Sequence, residues 1–83
     1  MKYKLTGLEY SDSKNMYMVR WHEQKPGDRW RIKSVWGSSD KKEPQEILSD
    51  VLRENNEHHA IPELSRLAED IKKIYKYVTW KGV

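Results

Sequence analysis

Hydrophobic and polar residues alternate along the first part of the chain and then change to a helical spacing. The alternation covers residues 2–10, 16–23 and 29–36, and its period of two is that of half-buried strands. In residues 44–54 and 62–78, apolar positions recur three and four residues apart, as on one side of a helix. The pattern predicts an α+β domain of element order β-β-β-α-α. We expect a three-stranded antiparallel sheet covered on one face by two C-terminal helices.

Short polar segments join the three predicted strands. Gly7 shifts the alternation of the first strand by one residue, which predicts a β-bulge. Pro26 and Gly27 predict a type II turn within the loop 24–28, because Pro presets φ for the first central position and Gly accepts a positive φ at the second. Connections this short favour an antiparallel meander over residues 1–36. The 83 residues are expected to form one domain, residues 1–83.

The central hairpin, residues 16–36, has an apolar and a polar set of positions on each strand. We expect the apolar sets to face the helices, and these are Tyr17, Val19 and Trp21 on the second strand and Trp30, Ile32, Ser34 and Trp36 on the third. The opposite face would then carry Met18, Arg20, His22, Arg29, Arg31, Lys33 and Val35. A slip of one residue in the pairing would exchange the two faces.

The second predicted helix has the longest apolar stripe in the chain. The stripe consists of Leu64, Leu67, Ala68, Ile71, Ile74, Tyr75 and Val78. Pro44 and Pro62 suit the first turns of the two helices, where the missing N–H costs nothing. Residues 77–80 could instead leave the second helix as a short extended tail.

Charge is distributed unevenly along the chain. The net charge of +3 arises from +5 in residues 1–42, −6 in residues 43–70 and +4 in residues 71–83. The sheet half is therefore basic and the first helical stretch acidic, which points to a charged partner. The chain has no Cys, so disulfides and thiolate metal sites are excluded. With no long apolar run and no signal-peptide pattern, a cytoplasmic protein without a membrane partner is expected.

No motif in the sequence predicts catalysis, a metal or a cofactor. The three histidines, His22, His58 and His59, lack the spacing of a helical zinc motif. The four glycines are isolated, so no phosphate-binding loop is present. Glu46, Asp50 and Glu54 repeat every four residues, which is typical of a solvated helix face. A non-enzymatic binding module is therefore expected.

The cations of the hairpin predict a nucleic-acid interface. Lys and Arg neutralise phosphates and release counterions, and Arg also bonds guanine edges. The expected contact residues are Arg20, His22, Lys25, Arg29, Arg31 and Lys33. The predicted layout is similar to that of AP2 and integrase arm-binding domains, which lay a three-stranded sheet on DNA with a helix behind it. The chain carries no specific motif of either family, and its second helix departs from their pattern.

Two other interpretations remain open. If Trp30 and Trp36 faced outward instead, they could stack single-stranded bases. Alternatively, the chain is a protein-binding inhibitor or adaptor of the phage or mobile-element type, using the Trp-rich hairpin and the acidic helix 44–54. The sequence is compatible with a monomer or a homodimer.

Overall fold

The predicted β-β-β-α-α order is confirmed. The computed structural model describes the backbone of residues 1–74 and the side chains of residues 1–69. The elements are β1 (Lys2–Ser11), β2 (Met16–Gln24), β3 (Trp30–Gly37), α1 (Pro44–Glu54), a 3₁₀ helix (His58–Ala60) and α2 (Ile61–Ile74). The predicted end of the second helix at residue 78 and the alternative tail at residues 77–80 lie outside the described residues.

The three strands form an antiparallel sheet of order β1-β2-β3. The pairing of β1 with β2 shifts register between Leu5 and Gly7, so the predicted bulge is present. The shift keeps Leu5 opposite Trp21 and brings Leu8 opposite Val19. Because directly paired residues share a face, the bulge places all four of these side chains on one side of the sheet.

The hairpin between β2 and β3 contains the predicted turn followed by one additional residue. Asp28 N–H donates to the Lys25 carbonyl over 3.0 Å, and Gly27 has φ of +75°, as a type II turn requires. The strand pairing, however, begins with Gln24 opposite Trp30. Arg29 therefore has no counterpart on β2, and it shifts the register of the whole of β3 by one residue.

The helices cover one face of the sheet and form a single core with it. Fully buried side chains from β2, α1 and α2 meet there, and they are Val19, Trp21, Ile47, Leu48, Val51, Leu52 and Leu64. Tyr3, Leu5 and Val35 pack against this core from the outer strands. The opposite side, which we term the open face, is not covered by either described helix.

Candidate functional site

The face assignment of β3 made from the sequence is wrong. Trp21 pairs with Lys33 and Val19 with Val35, so Lys33 and Val35 lie on the helix side of the sheet. Trp36 pairs with Met18 and Ile32 with His22, which places the apolar set of β3, Trp30, Ile32, Ser34 and Trp36, on the open face. Their exposure agrees, since Ile32 is 70% exposed and Trp30 and Trp36 are each 37% exposed.

The additional residue Arg29 is the structural cause of this reversal. If the turn pair Lys25–Asp28 continued directly into the ladder, Trp21 would face Ile32 and Tyr17 would face Trp36. One inserted residue moves every following side chain of β3 to the other face. Gly37 consequently pairs with Tyr17 on the helix side, where a methyl group would lie only 3.1 Å from the Val51 Cα. A tryptophan cannot occupy that position beneath α1.

The six residues predicted to form one nucleic-acid interface are therefore divided. Arg20 and His22 lie on the open face, whereas Arg31 and Lys33 belong to the helix side. Both of the latter form ion pairs: Arg31 Nη2 is 3.5 Å from Asp28 Oδ2, and Lys33 Nζ is 2.6 Å from Glu57 Oε1.

The remaining two cations of that set, Lys25 and Arg29, are exposed in the connection between β2 and β3. The structure thus corrects the proposed grouping of the six residues. A role for any of them in nucleic-acid binding stays a prediction.

The open face carries a different set of cations, half of which come from β1. Along the pairing, Lys2, Gln24 and Trp30 form one row across the sheet, and Lys4, His22 and Ile32 form the next. The lysines and arginines of the open face in the described part of the chain are Lys2, Lys4, Arg20 and the adjoining Lys14 of the β1–β2 turn. Glu9 is the acidic residue on the strands of this face, so its charge is predominantly positive.

Each exposed tryptophan of the open face has a lysine against its ring. Lys4 Nζ lies 4.6 Å from the Trp30 ring centroid, and Lys14 Nζ lies 4.5 Å from that of Trp36. These are cation–π distances. The sequence interpretation did not include Lys2, Lys4 or Lys14 in the interface. The alternation of Lys2 and Lys4 with Tyr3 and Leu5 nevertheless indicates on which face those two lysines lie.

The row geometry of the sheet sets the distance between the two tryptophans. Trp30 and Trp36 are six residues apart on one strand, which corresponds to about 20 Å at roughly 3.3 Å per residue. Ile32 and Ser34 lie between them on the same face. Met18, which pairs with Trp36, is only 3% exposed, so neighbouring side chains cover it even on this uncovered side. The open face is thus a ridge of apolar and aromatic side chains bordered by cations.

A polar cluster lies at the opposite side of the sheet, between β2, β3 and the 3₁₀ helix. The Trp21 indole N–H donates to Glu23 Oε1 over 2.9 Å, and His59 Nε2 is 3.2 Å from the same oxygen. His59 Nε2 also lies 3.4 Å from Glu57 Oε2, and Lys33 holds the other Glu57 oxygen.

The buried Glu23 carboxyl is the centre of this polar cluster. Burial by itself raises the pKa of Glu23, but the bonds from Trp21 and His59 and the charge of Lys33 outweigh burial and hold that pKa below its ordinary value of 4.5. One potential metal-ligand atom from each of Glu23, Glu57 and His59 lies within 4.8 Å of the other two, which is close enough for the three side chains to share an ion. Lys33 already neutralises one of the two carboxylates, so the arrangement is that of an ion-pair network joining the two layers.

No family of known proteins, no curated protein and no solved structure matches this chain. The resemblance to AP2 and integrase arm-binding domains that the sequence suggested has no support from these comparisons. Among the helices described up to residue 74, none is both long and apolar enough to cross a bilayer.

Proposed function

We propose that this protein binds single-stranded nucleic acid on the open face, by stacking bases on Trp30 and Trp36 and holding phosphates with the surrounding cations. The observation that supports the proposal is the exposure of two tryptophans, each beside a lysine, on the predominantly cationic side of the sheet. Single-strand binding surfaces combine these two features, because every base offers a π-face and every linkage a negative charge.

The energetics favour exchange of the lysines for bases. A cation–π contact at an exposed site contributes about 0.5–1 kcal/mol. Stacking of a base on an aromatic side chain contributes about 1–3 kcal/mol. A base can therefore displace Lys4 from Trp30, and the released ammonium group is then available for a neighbouring phosphate.

Single strands fit this surface better than duplexes. In a duplex the base faces are stacked within the helix, so exposed indole rings have no π-face to meet. Duplex recognition by a sheet would instead require cations and polar groups directed into the groove. Two of the arginines and lysines expected to do this, Arg31 and Lys33, lie on the other side of the sheet in ion pairs. This function agrees with the predicted cytoplasmic location and absence of catalysis.

A protein partner is the second candidate. Ile32 is 70% exposed between two tryptophans, and an apolar centre with aromatic neighbours is typical of binding hot spots. In this alternative the open face of the hairpin would contact an acidic protein surface, or the acidic helix α1 would contact a basic one. Protein binding through the open face would depend on Ile32 more strongly than nucleic-acid binding does.

Fluorescence anisotropy with labelled oligonucleotides tests the proposal. We expect a thymidine oligonucleotide of about twelve residues, within the range of known site sizes, to bind more tightly than a duplex of equal length. Affinity should fall as salt is raised from about 50 mM. The Trp30→Leu/Trp36→Leu variant, which keeps apolar cover and removes both rings, should lose most of the binding.

A matched pair of arginine variants provides the control. Arg20→Ala removes a cation from the open face, and Arg31→Ala removes one from the helix side. For a single strand each phosphate contact contributes about 0.7 to the slope of log affinity against log salt. Arg20→Ala should lower the magnitude of the slope by about 0.7, and Arg31→Ala should leave it unchanged. Tighter binding of duplex, or a larger effect of Arg31→Ala, would contradict the proposal.

A further inference from the structure

We infer that the open face takes one nucleic-acid strand lying along β3, with one base on Trp30 and another on Trp36 at the same time. This inference rests on the proposed function and adds the minimum length of the ligand and its orientation along β3. Binding to both rings at once requires a chain that reaches from one ring to the other, so full affinity needs an oligonucleotide of at least about four residues, the lower limit of known site sizes. A mononucleotide or dinucleotide can bind only one ring at a time.

The spacing of the aromatic side chains supports two simultaneous stacking positions. Trp30 and Trp36 belong to the same face of the same strand and are about 20 Å apart along it. No single nucleobase reaches across that distance. Ile32 and Ser34 fill the interval without an aromatic ring, so the bases between the two ends have no stacking partner on β3.

The positions of the cations also support a nucleic-acid strand that runs along β3. Lys4 lies at the Trp30 ring and Lys14 at the Trp36 ring, so each end of the ridge has its own cation. Arg20 pairs with Ser34 on β3, in the interval between the two tryptophans. Its side chain is exposed on the open face. Cations thus accompany the ridge over its whole length, as a phosphate backbone running parallel to β3 requires.

Oligonucleotide length and single tryptophan variants together test the inference. Thymidine oligonucleotides of about two, four, six and eight residues, covering the lower end of known site sizes, are titrated against wild type, Trp30→Leu and Trp36→Leu. For the longer oligonucleotides, each single variant should weaken binding by about 5- to 150-fold, the range for loss of one stacked base. Each single variant should weaken binding of the dinucleotide only about twofold, because the remaining ring still binds it.

Stoichiometry gives a second readout. The dinucleotide should saturate at two molecules per protein and the longer oligonucleotides at one. If only one tryptophan matters at every length, or the dinucleotide already reaches the full affinity, the two-position arrangement is wrong while single-strand binding stands. If no oligonucleotide binds at any length, the proposed function itself fails. Unchanged melting temperatures of the two variants show that the losses do not arise from unfolding.

Discussion

At the scale of single residues, Glu23 is the one charged side chain that is buried in the described part of the protein. It is 6% exposed, and its carboxylate accepts from the Trp21 indole and contacts His59. A buried charge is costly unless it is paired, and removing one partner leaves the other unsatisfied. Glu23 thus joins the hairpin to the 3₁₀ helix, and His59 has a structural partner that the sequence interpretation did not find. No sequence signal connects two residues 36 positions apart.

The Glu23→Gln variant should lose stability in a pH-dependent manner. The folded pKa of Glu23 is lowered below 4.5, so the carboxylate stabilises the fold above that pH and ceases to do so as pH falls through the folded pKa. At neutral pH we expect Glu23→Gln to reduce the free energy of unfolding by about 1–3 kcal/mol, as for loss of hydrogen bonds to a charged group. The difference from wild type should shrink as the pH is lowered below about 4.5.

Urea unfolding at several pH values measures this difference. Glu63→Gln is the matched control, because Glu63 is exposed and its ion pair with Arg66, at 2.6 Å, lies within one turn of α2. It should change the free energy of unfolding by less than about 0.5 kcal/mol. A pH-independent effect of Glu23→Gln would show that lost packing, and not lost charge, is responsible.

At the scale of elements, the end of the β2–β3 hairpin decides the chemistry of both faces. The turn Lys25–Asp28 is the one that its Pro-Gly pair predicts. Gln24 Nε2 donates to the Asp28 carbonyl over 3.0 Å, and Arg29 N–H donates to Asp28 Oδ1 over 2.7 Å. These two bonds hold the additional residue, Arg29, between the turn and the ladder. The alternation along β3 is the predicted one, but its register relative to β2 differs from the prediction by one residue.

Gly37→Ala should destabilise the junction between β3 and α1. A methyl group there would lie 3.1 Å from the Val51 Cα and 2.8 Å from Glu54 Oε2. Glu54 also accepts from the Ser38 N–H over 2.9 Å, so it cannot withdraw without losing that bond. Overpacking of this kind costs about 1–3 kcal/mol.

Thermal unfolding measures the cost of Gly37→Ala. Ser38→Ala adds no atom near α1 and keeps the N–H that Glu54 accepts, so it serves as the control and should leave the melting temperature nearly unchanged. Equal effects of the two substitutions would mean that α1 does not approach the end of β3 as closely as the structure shows.

At the scale of the whole molecule, one layer of helices has to cover one of two possible sheet faces. The covered face contains Trp21 at its centre, fully buried among residues of α1 and α2. The open face retains Ile32 and two partly exposed tryptophans. A fold of 83 residues gains stability from burying such side chains, so leaving them exposed is consistent with a binding surface.

Two threonine substitutions distinguish the faces directly. Ile32→Thr, on the open face, should change the free energy of unfolding by less than about 0.5 kcal/mol, because the side chain is already in water. Val19→Thr, on the covered face and fully buried, should cost about 1–3 kcal/mol for burying an unpaired hydroxyl. Both replacements retain β-branching, so strand propensity is nearly constant. Chemical denaturation of the two variants is the measurement. Equal losses would support the face assignment made from the sequence, because that assignment buries both Val19 and Ile32.

Local patterns alone were sufficient for the element order, the bulge at Gly7, the turn at Pro26-Gly27 and the start of α1 at Pro44, because each depends on residues that are neighbours in the chain. Local patterns could not predict which residues of β3 face away from the helices. This orientation depends on the single unpaired residue Arg29 and on the space beneath α1, where Gly37 fits and Trp36 does not. A period-two pattern is the same in both registers, so only packing between the layers selects one. That selection turned the tryptophans outward and divided the cations, and it therefore determines which surface is available for a ligand.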